Sequence, residues 1–270
     1  MPSRPVPPPR FEDGYSGPLE RARASCDVCQ QMSRNGNLTS KSAPALARLQ
    51  NEIYACQKCP RLRRYCQKVA LEKRRAYQHE NYWGLPVAGF GDPHAQLLVM
   101  GLAPAAHGAN RTGRIFTGDR SGDWLYRALH KAGFANQPTS THRDDGLVLQ
   151  NTYVTCATRC APPANKPSPT ELKRCAGYLA RELEILTEVR AYLVLGKIAL
   201  DALWPWITQN TEADLRKPRF AHGARFKLPD ERLLIMSYHP SQQNTFTRRL
   251  TEAMFDSVFS TAREFLSKNP

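Results

Sequence analysis

Four cysteines have types and spacings suited to holding a metal. Cys56-x2-Cys59 brings two thiolates within reach of one site, and Cys160 and Cys175, separated by APPANKPSPTELKR, form a second pair. Four thiolates suit a [4Fe-4S] cluster or a tetrahedral structural zinc, and spacing alone does not choose between them. Of the other cysteines, Cys156 sits in an apolar run and reads as a small buried residue. Cys66 lies two helical turns beyond the first pair and could substitute as a ligand. Cys26-x2-Cys29 has ligand spacing but no second pair nearby.

Two other stretches collect polar and aromatic groups. Gly101 to Gly122 (GLAPAAHGANRTGRIFTGDRSG) holds five glycines, so its backbone can approach a ligand closely, and it carries His107, Asn110, Arg111, Phe116 and Asp119. Neither GxxxxGK[ST] nor GxGxxG occurs in it, so an ordinary nucleotide-binding loop lacks support. Far along the chain, His239-Pro240-Ser241 is followed by Gln242, Gln243 and Asn244. An imidazole, a carboxylate, amides and an aromatic ring on two loops can stack, hydrogen-bond and polarise a flat ligand.

These groups need a scaffold. Four short apolar runs, QLLVMGL (96–102), TYVTCAT (152–158), AYLVLG (191–196) and RLLIMSY (232–238), read as buried strands. Helical patterns cover 43–56, 121–134, 169–189, 197–207 and roughly 247–267. Strands without alternation, separated by helices, predict an α/β fold: a three-layer α/β/α sandwich with a central four-stranded, mainly parallel sheet. Ligands then bind beyond the carboxyl ends of the strands. The glycine-rich stretch, the Cys160 loop and the His239 loop all leave from there.

Residues 1–42 are rich in proline, serine and arginine and read as a disordered basic arm, with 43–270 as the catalytic domain. The chain has 38 Lys+Arg against 24 Asp+Glu, a net charge of +14, which favours a polyanionic partner. No apolar run approaches the roughly 18 residues of a membrane span. The N-terminal MPSRPVPPPR has proline where a signal peptide needs an apolar stretch, so a cytoplasmic, nucleoid-associated protein is expected.

GLAPAAHGANRTGR followed by FTGDRSG resembles the first active-site motif of the family 5 (type b) uracil-DNA glycosylases, an iron-sulfur branch of the uracil-DNA glycosylase superfamily, and HPS at 239–241 resembles the second. The resemblance spans roughly residues 43–266. It implies a [4Fe-4S] cluster on Cys56, Cys59, Cys160 and Cys175, and a monomer acting on DNA that contains uracil or other deaminated bases. It also implies roles. Phe116 would stack on the flipped base, Asn165 would read its edge, and His107 and Asn110 would contact base or phosphate. His239 would donate to uracil O2, and Asp119 would position water or steady the sugar cation. Ser241, Gln242, Gln243, Asn244 and Arg248 would meet DNA.

Each role has a plainer alternative: a core phenylalanine, a turn asparagine, a satisfied structural histidine, or a helix N-cap for Asp119. Arg248 stands where the family pattern TGRLT has glycine. The Leu102-Ala103 pair in GLAP offers no carboxylate, which implies a broad enzyme that also accepts hypoxanthine. The basic run Arg61 to Arg64 with Lys68, Lys73, Arg74 and Arg75 reads as a phosphate-tracking surface or a solvated helix face. Two other functions remain: a non-catalytic binder of damaged DNA, and an electron-transfer protein built on the cluster, which would leave both loops without a purpose.

Overall fold

The computed structural model describes residues 42–211 and 215–268. The arm at 1–42, apart from Ser42, and the Cys26/Cys29 pair lie outside the described residues.

The four apolar runs form β2 (Leu97–Gly101), β3 (Thr152–Cys156), β4 (Ala191–Leu195) and β6 (Leu233–Ser237), each buried along its whole length. They pair in parallel in the order β3-β2-β4-β6. Among the described residues the sheet has six strands, two more than the sequence predicts. The additions are antiparallel edge strands, β1 (Phe90–Gly91) on β3 and β5 (Arg225–Lys227) on β6. They are too short, and too exposed, to carry an apolar pattern.

Side chains of a strand alternate between its faces, and here the alternation sorts them into two cores. Leu97, Val99, Val154, Leu193 and Ile235 meet α4 (Arg120–Lys131) and α8 (Glu252–Lys268). Leu98, Met100, Tyr192, Val194 and Leu234 meet α1 (Ser42–Tyr54), α5 (Pro169–Ile185) and α6 (Lys197–Gln209). This is the expected three-layer sandwich. No described helix is long and apolar enough to cross a membrane.

The chain leaves β2 to form β3 on one side of it, then crosses back to form β4 on the other. That reversal opens a crevice at the carboxyl ends of the strands. The loop after β2 carries the short helix α3 (Ala109–Thr112), and the loop after β6 carries α7 (Gln242–Phe246). The remaining helix, α2 (Pro60–Glu72), follows the first cysteine pair, with Cys59 at its N-cap and Pro60 at its first position.

Candidate functional site

Phe116 and His239 come together above the ends of β2 and β4. Their rings stack with centroids 5.8 Å apart and planes 30° apart. Gly101, the last residue of β2, makes this possible: a β-carbon there would lie 2.6 Å from Phe116 Cζ. Any side chain would expel the ring. Beneath, Cys156 is buried as expected, its Sγ 3.2 Å from the same point. At the end of β4, Gly196 lies under His239, 3.8 Å separating its missing β-carbon from His239 Cβ. Phe116 takes a φ of 51°, a left-handed conformation that a bulky residue rarely adopts and that aims its ring over the strand ends.

The imidazole of His239 makes no hydrogen bond among the described residues, and burial pushes its pKa down to about 4. It is therefore neutral at physiological pH, with one nitrogen able to donate and the other to accept. The following loop is fixed by its own backbone and amides. Asn244 Nδ2 donates to the His239 carbonyl at 2.9 Å, and Ser241 N–H to the same oxygen at 2.8 Å. Ser241 also caps α7, its hydroxyl accepting from Asn244 N–H at 3.4 Å. Gln242, Gln243 and Arg248 remain exposed. Arg248 has a φ of 56°, so the backbone keeps the geometry of the expected glycine with an arginine in it.

Asp119 braces both ends of the glycine-rich stretch. Its Oδ1 accepts from Gly122 N–H at 3.0 Å, capping α4. Its Oδ2 lies against Gly108 in the first motif, 2.0 Å from where a β-carbon would stand. Burial raises its pKa, partly offset by the N–H groups of Gly122 and Ser121. The N-cap reading is correct.

The rest of the first motif is stitched by arginines. Arg111 donates from Nε to the His107 carbonyl and from Nη2 to the Gly118 carbonyl, both at 2.8 Å, and pairs with Glu80. Arg114 grips Asp145 through Nη2 at 2.8 and 2.7 Å. His107 faces Tyr82, with Nδ1 3.0 Å from the hydroxyl, and burial, then Arg74 and Arg111, lower its pKa. Asn110 is fully buried and donates to the carbonyls of Cys66 and Ala106 at 3.3 and 3.4 Å, while its Oδ1 has no partner. Its side chain ties the first motif to α2. Asn165 stands exposed after Ala164, with φ values of 52° and 55° for the two, and no hydrogen bond or ring contact ties it to Phe116 or His239.

The cysteines gather between α2, α5 and the loop after β3. Cys59, Cys160 and Cys175 are buried and Cys56 is half-buried. Burial, then Cys160, raises the pKa of Cys59, and burial pushes Cys175 up to about 11. Salt bridges staple the surrounding elements: Arg61 to Glu171 at 2.6 Å between α2 and α5, and Arg181 to Glu52 between α5 and α1. Arg159, beside Cys160, pairs with Glu182 at 2.6 Å inside the protein. Leu62, Tyr65, Ala106 and Ala161 complete an apolar shell. Among the described residues, no three His, Cys, Asp or Glu converge closely enough to hold one ion. The all-sulfur donor set, drawn from the start of α2, the loop after β3 and α5, has the chemistry of a cluster site.

Two groups from the sequence reading take a different place here. Arg63 is buried, not solvated, and Cys66 packs by Cys160, its Sγ 3.6 Å from the Ala161 carbonyl. The signal was present: Cys59, Arg63 and Cys66 follow helical spacing of four and three residues and share one face of α2. With Arg61 held by Glu171 and Arg63 buried, the basic run is not one continuous phosphate-facing surface.

Comparison with known proteins adds an independent line. A family profile described as "Uracil DNA glycosylase superfamily" matches residues 88–263. The chain is 51% identical over 213 residues to the type-5 uracil-DNA glycosylase of Thermus thermophilus, covering 78% of this chain and 94% of that protein. It is 46% identical over 229 residues to the type-5 uracil-DNA glycosylase of Mycobacterium leprae, covering 84% and 98%. It is 42% identical over 201 residues to that of Pyrobaculum aerophilum, covering 74% and 84%.

Proposed function

Because this chain belongs to the uracil-DNA glycosylase superfamily, with type-5 enzymes as its relatives, we propose that it excises uracil from DNA by hydrolysing the N-glycosidic bond. The observation that carries the reading is the neutral His239 stacked beside Phe116 at the strand ends.

A base inside a duplex cannot be reached, so the target nucleotide must leave the stack and enter a closed pocket. Phe116 offers the flat apolar surface for the base, and Asn165 the amide that reads its edge. Gln242, Gln243, Asn244 and Arg248 lie on the loop that fills the vacated space and meets phosphate.

Bond cleavage spreads positive charge on the sugar and negative charge on the departing base. His239 donates an N–H to uracil O2 as that oxygen gains charge. A neutral imidazole suits this role because it need not give up its proton. The carboxylate of Asp119 orients the attacking water or steadies the sugar cation. No carboxylate other than Asp119 lies in the glycine-rich loop, and small residues line its start. On this basis the site also accepts hypoxanthine and other deaminated bases.

Cys56, Cys59, Cys160 and Cys175 hold a [4Fe-4S] cluster in this reading. The cluster cross-links α2, α5 and the loop after β3, and so orders the segment bearing Asn165. Hydrolysis moves no electrons, so its contribution is structural.

Incubating the protein with oligonucleotides containing a single uracil, hypoxanthine or thymine tests the reading. Free base and an alkali-labile abasic strand are expected from the uracil and hypoxanthine substrates. Binding without product would favour a damage-recognition protein instead.

A further inference from the structure

Four arginines are buried among the described residues: Arg63, Arg111, Arg114 and Arg159. Three have a carboxylate partner, Glu80 for Arg111, Asp145 for Arg114 and Glu182 for Arg159. Arg63 has none. Its Nη2 donates to the Gly84 carbonyl at 3.0 Å, while Nε and Nη1 have no hydrogen-bond partner. A guanidinium cannot escape by losing its proton, and an unpaired buried charge costs several kcal/mol. A fold that retains one this way implies an anion that completes it.

The surroundings identify that anion. Arg63 and Cys66 share the buried face of α2, and Cys66 Sγ lies 3.6 Å from the carbonyl of Ala161, the neighbour of Cys160 in the chain. Its own helix begins at Cys59, and the Arg63 N–H donates to the Cys59 carbonyl at 3.0 Å. Four thiolates around a cluster or a zinc ion make a site of net negative charge, and hydrogen bonds to ligand sulfurs are a lever on cluster potential.

We propose that Arg63 is the internal counter-cation of the cysteine site, directing its unpartnered N–H groups to the Cys160 sulfur and offsetting the charge of the metal-bound thiolates. The inference rests on the metal-holding role of Cys56, Cys59, Cys160 and Cys175. Arg63 is a positioning and tuning residue here. Arg63 lacks an anion, and the four cysteines bind metal only as thiolates. Metal binding displaces their protons and supplies one.

The test compares the full-length wild type with Arg63→Met, which removes the charge, and Arg63→Lys, which keeps it. Iron, sulfide and zinc per chain, the visible absorption of the cluster and the reduction potential are measured for each. Arg63→Met is expected to retain less metal and to show a more negative potential, because a lost positive charge disfavours the added electron. Arg63→Lys should recover both. A residue that merely filled space would not separate the charged from the neutral replacement in potential.

Wild-type iron and sulfide with equal content and equal potential in all three proteins would overturn the role of Arg63 and leave the cluster intact. Wild-type zinc without sulfide would overturn the cluster alone. The rate of zinc loss to a chelator then decides on Arg63, faster loss from Arg63→Met supporting it and equal loss refuting it. Should Arg63→Met fail to fold, Arg63→Gln is neutral yet keeps a donor for the Gly84 carbonyl, and the same comparisons apply.

Discussion

The imidazole of His239 stacks on the ring of Phe116 although the two side chains come from different loops, one after β6 and one after β2. Both loops leave the carboxyl edge of the sheet. The stack therefore joins the two motifs into one pocket wall, and it depends on Gly101 having no side chain.

The protonation of His239 gives a first prediction. Its pKa falls from an ordinary 6.5 to about 4 in the fold. The unfolded chain thus binds the proton more readily, and the native state loses stability as pH drops through that window. An NMR titration, with the His239 signal assigned by comparison with His239→Gln, should show a midpoint near 4. Replacement by glutamine should flatten the fall in thermal stability between the two values. A midpoint at the ordinary histidine value would contradict a buried neutral imidazole.

Asp119 separates stability from activity. Burial raises the pKa of its carboxyl, so the charge is costly to the fold, and asparagine caps helices as well as aspartate does. Asp119→Asn should therefore melt at the same or a higher temperature while single-turnover excision falls about 100-fold, the order expected for a lost catalytic group. Uracil-DNA binding should be retained. Full excision by this variant would confine Asp119 to its capping role.

Gly108→Ala should reproduce the Asp119 defect from the other end of the same loop. Its β-carbon would enter the space of Asp119 Oδ2, 2.0 Å away, so the carboxylate must turn. Excision by Gly108→Ala, Asp119→Asn and the double variant is the informative comparison. The double variant should be scarcely worse than Asp119→Asn alone, since both changes remove one interaction. Additive losses would show that Gly108 matters for another reason.

Arg248 trades backbone ease for a cation. Its left-handed φ of 56° costs a non-glycine residue about 1 kcal/mol. Arg248→Gly should leave stability unchanged or improved and weaken DNA binding. The slope of log K against log salt should become shallower by about 1, the signature of one lost phosphate contact. An unchanged slope would place Arg248 away from the DNA backbone.

The central sheet was legible in the sequence because its parallel strands are buried on both faces and read as unbroken apolar runs. The edge strands were not, since Phe90–Gly91 and Arg225–Lys227 are two and three residues long. The last helix begins at Glu252, not near Thr247, because the left-handed Arg248 ends the Ser241-capped turn before it. Phe116, Asp119 and His239 could be singled out by residue type and motif, but the Phe116–His239 stack depends on the missing β-carbon at Gly101 and the placement of Asp119 on that at Gly108. Arg63 was hidden for another reason. Within a run of basic residues a buried cation looks like its solvated neighbours, and only its helical spacing to Cys59 and Cys66 hints at its burial.

The most direct test of the account is a single-turnover assay on a uracil-containing oligonucleotide, following free uracil and abasic strand for the wild type and for His239→Gln and Asp119→Asn. The account predicts stoichiometric release of uracil by the wild type and a sharp loss of turnover, with DNA binding preserved, in both variants. Wild-type protein that binds the oligonucleotide and releases no uracil would contradict it.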